Sequence, residues 1–181
     1  MPGYIGYKAL PESFTTSIVA VLGKGEKIVR TKKKTTITTN PYLEHMLHES
    51  DCGEAETTFI KLGESKGTTQ YLTTDMGLAI PPGIKIVDGS GLSTGNRMSA
   101  EFMNAFLTKI YSSPDDYRGF KDLLAQPGDY GTLDDRLLSL KGSLFAKTGS
   151  MKNSRVASLT GFVETKLGTL IFTVIGYQYP W

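Results

Sequence analysis

A chain of 181 residues and 19.7 kDa has the length of one ordinary globular domain, or of a piece of one. Hydrophobic residues at 39% and charged residues at 21%, with eight Phe, nine Tyr and one Trp, supply a packed core and argue against a disordered chain. A net charge of +2 is too small for a dedicated polyanion binder, so nucleic acid is not expected as a partner. Cys52, the single cysteine, excludes an intrachain disulfide, and the two histidines lie far from any Cys-x-x-Cys, which excludes the usual zinc sites; no cofactor is expected.

No window reaches the roughly 18 consecutive apolar residues of a membrane span. The best run, Leu170 to Tyr177, is interrupted by Thr173 and Gly176. The amino terminus carries no secretory pattern: Lys8 is a lone basic residue and Glu12 follows it. Any export signal is expected to have been removed, or never to have been present.

In chain order, the β-branched residues flanking Gly23-Lys24-Gly25 predict a hairpin over residues 13–29. The run RTKKKTTITT after it reads as a solvated edge or loop. Residues 1–39 are accordingly assigned to a separate hairpin segment, and 40–181 to the main domain. Asn40-Pro41 starts a helix whose stripe is Leu43, Met46 and Leu47. The pattern breaks at Ser50-Asp51-Cys52-Gly53 and resumes with Ala55, Phe59, Ile60 and Leu62, which predicts two short helices meeting at Ser50 to Cys52. Glycines, threonines and Pro81-Pro82 predict irregular structure between Gly63 and Ile84, then a short strand runs into the glycine-rich stretch VDGSGLSTGN.

Ser99 is placed to cap a helix bearing Phe102, Met103, Phe106, Leu107 and Ile110, Ser113-Pro114 begins another, and Thr132 with Asp135 has the form of a capping box for a third. From Ser143 the pattern turns to three strands, SLFAKTGS, VASLTGFVET and TLIFTVIGYQY, with a turn at Lys166 to Gly168. Helices gathered before adjacent antiparallel strands predict an α+β fold.

Three short segments carry candidate chemistry: Ser50-Asp51-Cys52, the loop from Asp88 to Ser93 that contains Ser90, and Lys147-Thr148-Gly149-Ser150. A lysine, a hydroxyl and a glycine at a strand end make an anion site suited to a carboxylate, because the glycine lets a ligand approach the strand backbone. The loop reads equally as a wall of a cleft or as a structural turn.

These segments, in this order and together with GDYGTLDDR, resemble the low-molecular-mass class C penicillin-binding proteins, serine D-alanyl-D-alanine carboxypeptidases and endopeptidases. HMLHESDCGEAETTFIKLG is similar to that family's Ser-x-Asn helix junction and FAKTGSMKNSRVASLTGFV to its Lys-Thr-Gly segment; the resemblance runs from about Pro41 to Tyr177. It implies a partial transpeptidase/β-lactamase-like fold, a peptidoglycan stem peptide or a β-lactam as ligand, and a periplasmic or cell-envelope location. It implies further that Ser50 relays a proton to the leaving amine, that Lys147 supplies charge to that relay and to a terminal carboxylate, and that Thr148 and Ser150 hydrogen-bond the carboxylate.

Two departures qualify the resemblance. The chain contains no Ser-x-x-Lys, the motif in which a lysine activates the serine nucleophile; its nearest spellings are Thr31 to Lys34 and Thr58 to Lys61. Cys52 stands where the family has asparagine, and a thiol cannot both donate to and accept from peptide groups as an amide does. Cys52 is expected to line the cleft, with its pKa lowered by Lys147. The ends are expected to be cut, leaving a sheet edge or face for a second chain or a second copy. The leading expectation is a D,D-peptidase portion without its nucleophile; the alternative is a non-catalytic relative that binds peptidoglycan stems or a protein.

Overall fold

The computed structural model describes residues 41–151 and 155–177, so the hairpin expected over residues 13–29, the basic run and the Asn40 cap lie outside the described residues. Helices come first and a three-stranded antiparallel sheet last, the α+β order expected from the sequence. Helix α1 (Pro41–His48) buries Leu43, Met46 and Leu47. It ends at a break where Ser50 takes a left-handed φ of 59°, a conformation that non-glycine residues seldom adopt. Helix α2 (Cys52–Lys61) restarts at once because Asp51 caps it, its carboxylate accepting the Glu54 N–H at 2.8 Å.

Helix α3 (Glu64–Gln70) and the π-helical turn Tyr71–Asp75 occupy part of the stretch read as irregular. This corrects the sequence reading, and the reason is tertiary. A Cβ at Gly67 would overlap the Leu62 carbonyl, so this glycine permits the tight turn between α2 and α3 instead of breaking a helix. Thr68 and Leu72 are fully enclosed, and burial overrides the low helix propensity of the threonines. The expected strand before the glycine-rich loop is reduced to one antiparallel bridge, Lys85 with Arg97.

Helix α4 (Ala100–Tyr111) begins as predicted, with Ser99 Oγ accepting the Phe102 N–H at 3.1 Å, and buries Phe102, Met103, Phe106, Leu107 and Ile110. Helix α5 (Pro114–Lys121) follows. The third helix expected at Thr132 does not form. Its backbone is committed elsewhere: the Thr132 N–H donates to the His48 carbonyl at 2.9 Å, and only a 3-10 turn, Leu138–Leu140, follows.

Strands β1 (Leu144–Met151), β2 (Val156–Thr165) and β3 (Gly168–Tyr177) pair in sequence order. Their register sets Lys147, Thr160 and Thr173 in one row. Because side chains alternate, this row shares a face with Phe145, Phe162 and Ile171, which close the main core against α4. Thr160 and Thr173 share a hydroxyl hydrogen bond of 2.6 Å, and Thr173 donates to Asn104 of α4 at 2.9 Å. On the other face Leu144 and Ala146 pack with Ala125 and Leu133, and Leu159, Val163 and Phe172 border them.

Candidate active site

The junction between α1 and α2 and the glycine-rich loop meet at Cys52, and Lys147 of β1 lies within electrostatic range of it. The loop is built on carboxylates. Asp88 accepts the Gly91 N–H at 2.7 Å, the Ser93 N–H and the Asn96 side-chain N–H at 2.8 Å. Asn96, fully buried, in turn accepts the Val87 N–H at 2.7 Å. Glu56, reaching from α2, accepts the N–H groups of Gly89 and Ser90 at 3.0 and 3.1 Å. Gly89 lies so close to α2 that a Cβ there would overlap Phe59 and the Ala55 carbonyl.

Cys52 is exposed at the first position of α2. Its Sγ lies 3.7 Å from the Ser90 carbonyl and 3.8 Å from the Ser50 carbonyl, within reach for a thiol donor. The junction and the loop thus form one wall. Behind the break the GDYGTLDDR segment supports α1: His48 stacks on Tyr130 with ring centroids 4.4 Å apart, and a Cβ at Gly131 would overlap the His48 carbonyl.

The opposite wall is β1. Lys147 is fully enclosed, and its Nζ donates to the Thr148 carbonyl at 3.1 Å. Among the described residues it has no ion-pair partner. Burial lowers its pKa from 10.5 to about 7, and among the described residues the Cys52 thiol acts against that fall. For Cys52 the balance runs contrary to expectation: burial raises the thiol pKa, and the lowering by Lys147 does not offset it, since Asp51 and Asp88 also raise it. The lowered thiol pKa expected from Lys147 is therefore not what this environment gives.

Lys147 and Thr148 are buried, Gly149 is partly exposed and Ser150 is exposed. Alternation turns the Thr148 and Ser150 side chains to the face opposite Lys147. The outer edge of β1 is engaged at Ala146, whose N–H donates to the Ala125 carbonyl at 3.0 Å. By the same alternation the N–H and C=O groups of Thr148 and Ser150 point outward, along an edge where an extended peptide can add as a strand.

Thr58 is in the core, its hydroxyl 3.9 Å from the Met46 sulfur, which removes Thr58 to Lys61 as an accessible substitute for Ser-x-x-Lys. Glu56 and Asn96, which hold the loop, were not among the candidates. Asp88 three residues before Gly91 is a turn signal legible in sequence, whereas Glu56 has no local signal because its partners lie 33 and 34 residues away.

This architecture is the fold of the penicillin-binding proteins. Penicillin binding protein 4 (dacB) from Haemophilus influenzae superimposes with a TM-score of 0.68 at 24% identity, over 78% of this chain and 34% of that one. The penicillin G acylated Bd3459 predatory endopeptidase from Bdellovibrio bacteriovorus, solved with immunity protein Bd3460, gives 0.61 at 25% identity over 74% and 37%. In sequence, carboxypeptidase DacB of Mycolicibacterium smegmatis is 32% identical over 148 residues, 71% of this chain and 31% of that protein. Residues 33–177 match the D-Ala-D-Ala carboxypeptidase 3 (S13) family, and the chain belongs to it. It spans about a third of the length of these relatives. No helix among the described residues is long and apolar enough to cross a membrane.

Proposed function

We propose that this chain is the transpeptidase-like portion of a peptidoglycan D,D-peptidase of the cell envelope or periplasm, supplying the substrate cleft and the proton relay while a serine nucleophile comes from outside these 181 residues. The observation that carries the reading is the approach of Cys52, at the helix junction, to the Ser90 carbonyl of the glycine-rich loop, with Lys147 enclosed in β1. In this reading an acyl-D-Ala-D-Ala stem lies along the β1 edge, its terminal carboxylate held by the Thr148 and Ser150 hydroxyls on one face of the strand while Lys147, on the other face, acts on it through its charge. A carboxylate favours the charged form of Lys147, so ligand binding near neutral pH takes up a proton there. The Ser50 hydroxyl then passes a proton to the amine that leaves. A β-lactam is held by the same groups, and the acylation of the Bdellovibrio endopeptidase by penicillin G supports that ligand class.

A non-catalytic relative that binds stem peptides is the second reading, favoured by the lack of Ser-x-x-Lys and by Cys52 in the asparagine position. Titration with diacetyl-Lys-D-Ala-D-Ala and with its carboxy-terminal amide tests the cleft assignment common to both. Tighter binding of the acid, with the preference lost in Lys147→Met, is expected. Equal affinity for acid and amide overturns it. D-Ala release restored by adding a separate Ser-x-x-Lys segment of a relative separates the first reading from the second.

A further inference from the structure

We propose that His45, Asp51 and Glu54 form a binding site for a first-row divalent metal ion of the Zn2+ class, which ties α1 to α2 across the break at Ser50. The inference stands apart from the cleft reading above and does not rest on it. Three observations lead to it. The imidazole Nδ1 of His45, in the last turn of α1, lies 3.0 Å from Glu54 Oε2 on α2. One donor atom from each of the three side chains lies within 4.8 Å of the other two, and no second such cluster occurs among the described residues. Finally, the Glu54 carboxylate is not engaged where its place in the sequence would put it.

Asp51 as cap and Glu54 three residues later have the spacing of a capping box, in which the glutamate reaches back to the N–H of the capping residue. Here the box is half made. Asp51 Oδ1 accepts the Glu54 N–H at 2.8 Å, but the Asp51 N–H donates to the Met46 carbonyl at 3.1 Å. Glu54 is thereby released from the cap and meets His45 instead. The backbone behind it is pinned from α1, since the Tyr42 hydroxyl donates to the Glu54 carbonyl at 3.0 Å. An ion pair as exposed as His45 with Glu54 is worth little on its own, and it neutralises only one of the two carboxylates. A divalent cation neutralises both.

One imidazole nitrogen and two carboxylate oxygens suit Zn2+ and its first-row neighbours better than Ca2+ or Mg2+, which take shells of oxygen. At bond lengths of about 2.1 Å the donors sit about 3 to 3.5 Å apart, so the cluster closes by rotation of the exposed His45 and the part-exposed Glu54 side chains. Water completes the shell. These donors are gathered by a helix break and not by a Cys-x-x-Cys turn, so sequence spacing does not announce them. Ser50, with its left-handed φ of 59°, lies between His45 and Asp51 in the chain, and a bound ion holds that junction in place.

The test is calorimetric titration of ZnCl2 into the whole chain, freed of metal by chelation, on a Cys52→Ala background that removes the thiol as a competing ligand. Of the chain's two histidines His48 is buried, so His45 is the imidazole an ion can reach. One site is expected, weakened about tenfold or more by each of His45→Gln, Glu54→Gln and Asp51→Asn, the last of which keeps the cap. The hydrogen bond to Glu54 and the charges of Glu54, Asp51 and Glu49 hold the His45 pKa above the ordinary 6.5, so affinity should climb as pH rises through and beyond that value. Loading should also slow amide exchange from Asp51 to Gly53, an effect absent in His45→Gln. If Asp51→Asn fails to fold, His45→Gln and Glu54→Gln decide. No saturable binding, or an affinity that His45→Gln or both carboxylate variants leave unchanged, overturns the inference.

Discussion

The Glu56 carboxylate accepts the Ser90 N–H at 3.1 Å, so a residue in the middle of α2 holds the loop that carries the Ser90 carbonyl against Cys52. The loop's position is therefore a property of the helix, and the two move together.

Glu56→Ala is expected to release that loop. It leaves two backbone N–H groups without their acceptor, a charge-assisted pair, at a cost of about 2 to 3 kcal/mol. Urea denaturation should show the loss, and amide exchange at Gly89 and Ser90 should accelerate while β2 stays protected. Unchanged exchange at both positions would refute the role given to Glu56.

Gly89→Ala probes the same contact by adding atoms. Its methyl has no room beside Phe59 and the Ala55 carbonyl, so the loop must lift or α2 must shift, at a cost of about 1 to 3 kcal/mol. Gly142→Ala, where a Cβ meets nothing within 4 Å, separates crowding from backbone strain: its φ of 75° carries only the strain. Calorimetry should rank Gly89→Ala as the more damaging.

Burial of Lys147 makes stability depend on pH with a definite sign. Its pKa falls from 10.5 unfolded to about 7 folded, so between those values the unfolded chain binds the extra proton, and stability rises as pH rises through that window. Below about 7 both states are protonated and the full cost, on the order of 5 kcal/mol, is present. Lys147→Met should raise the melting temperature at pH 7, with the gain shrinking toward pH 10. A constant or growing gain would contradict the assignment.

Cys52→Asn restores an amide at the junction, where Cys52 lies between the Ser50 and Ser90 carbonyls. Binding of diacetyl-Lys-D-Ala-D-Ala should strengthen by about 1 kcal/mol, the usual net worth of one hydrogen bond. Weaker or unchanged affinity by calorimetric titration would show that the side chain at position 52 does not face the peptide.

The unaltered chain should release no D-Ala from an acyl-D-Ala-D-Ala peptide, since covalent turnover needs a serine with its lysine base and Thr58 is enclosed in the core. Release that survives purification and disappears in Thr58→Ala would reverse this.

What the sequence disclosed follows the range of the interactions. The α4 cap at Ser99 and the stripe from Phe102 to Ile110 are local patterns, and the strand limits Val156 to Thr165 were legible because alternation and turn glycines mark them. Helix α3 escaped because its threonines gain from enclosure, which a window of sequence does not contain. The Thr132 reading failed because the capping pattern is local, while the competing acceptor, the His48 carbonyl, is 84 positions away. The same holds at the site: the approach of Lys147 was expected to activate Cys52, but burial, a property of the assembled fold, reversed the sign.

The hydroxyl bridge from Thr160 through Thr173 to Asn104 gives the molecule an asymmetry of motion. Apolar faces slide over one another at little cost, but directional bonds across the sheet and into α4 peg it in place, and Lys147 stands in the same row. The floor of the cleft is thus a fixed anvil. Any opening is therefore expected at the other jaw, where Glu56 ties the glycine-rich loop to α2.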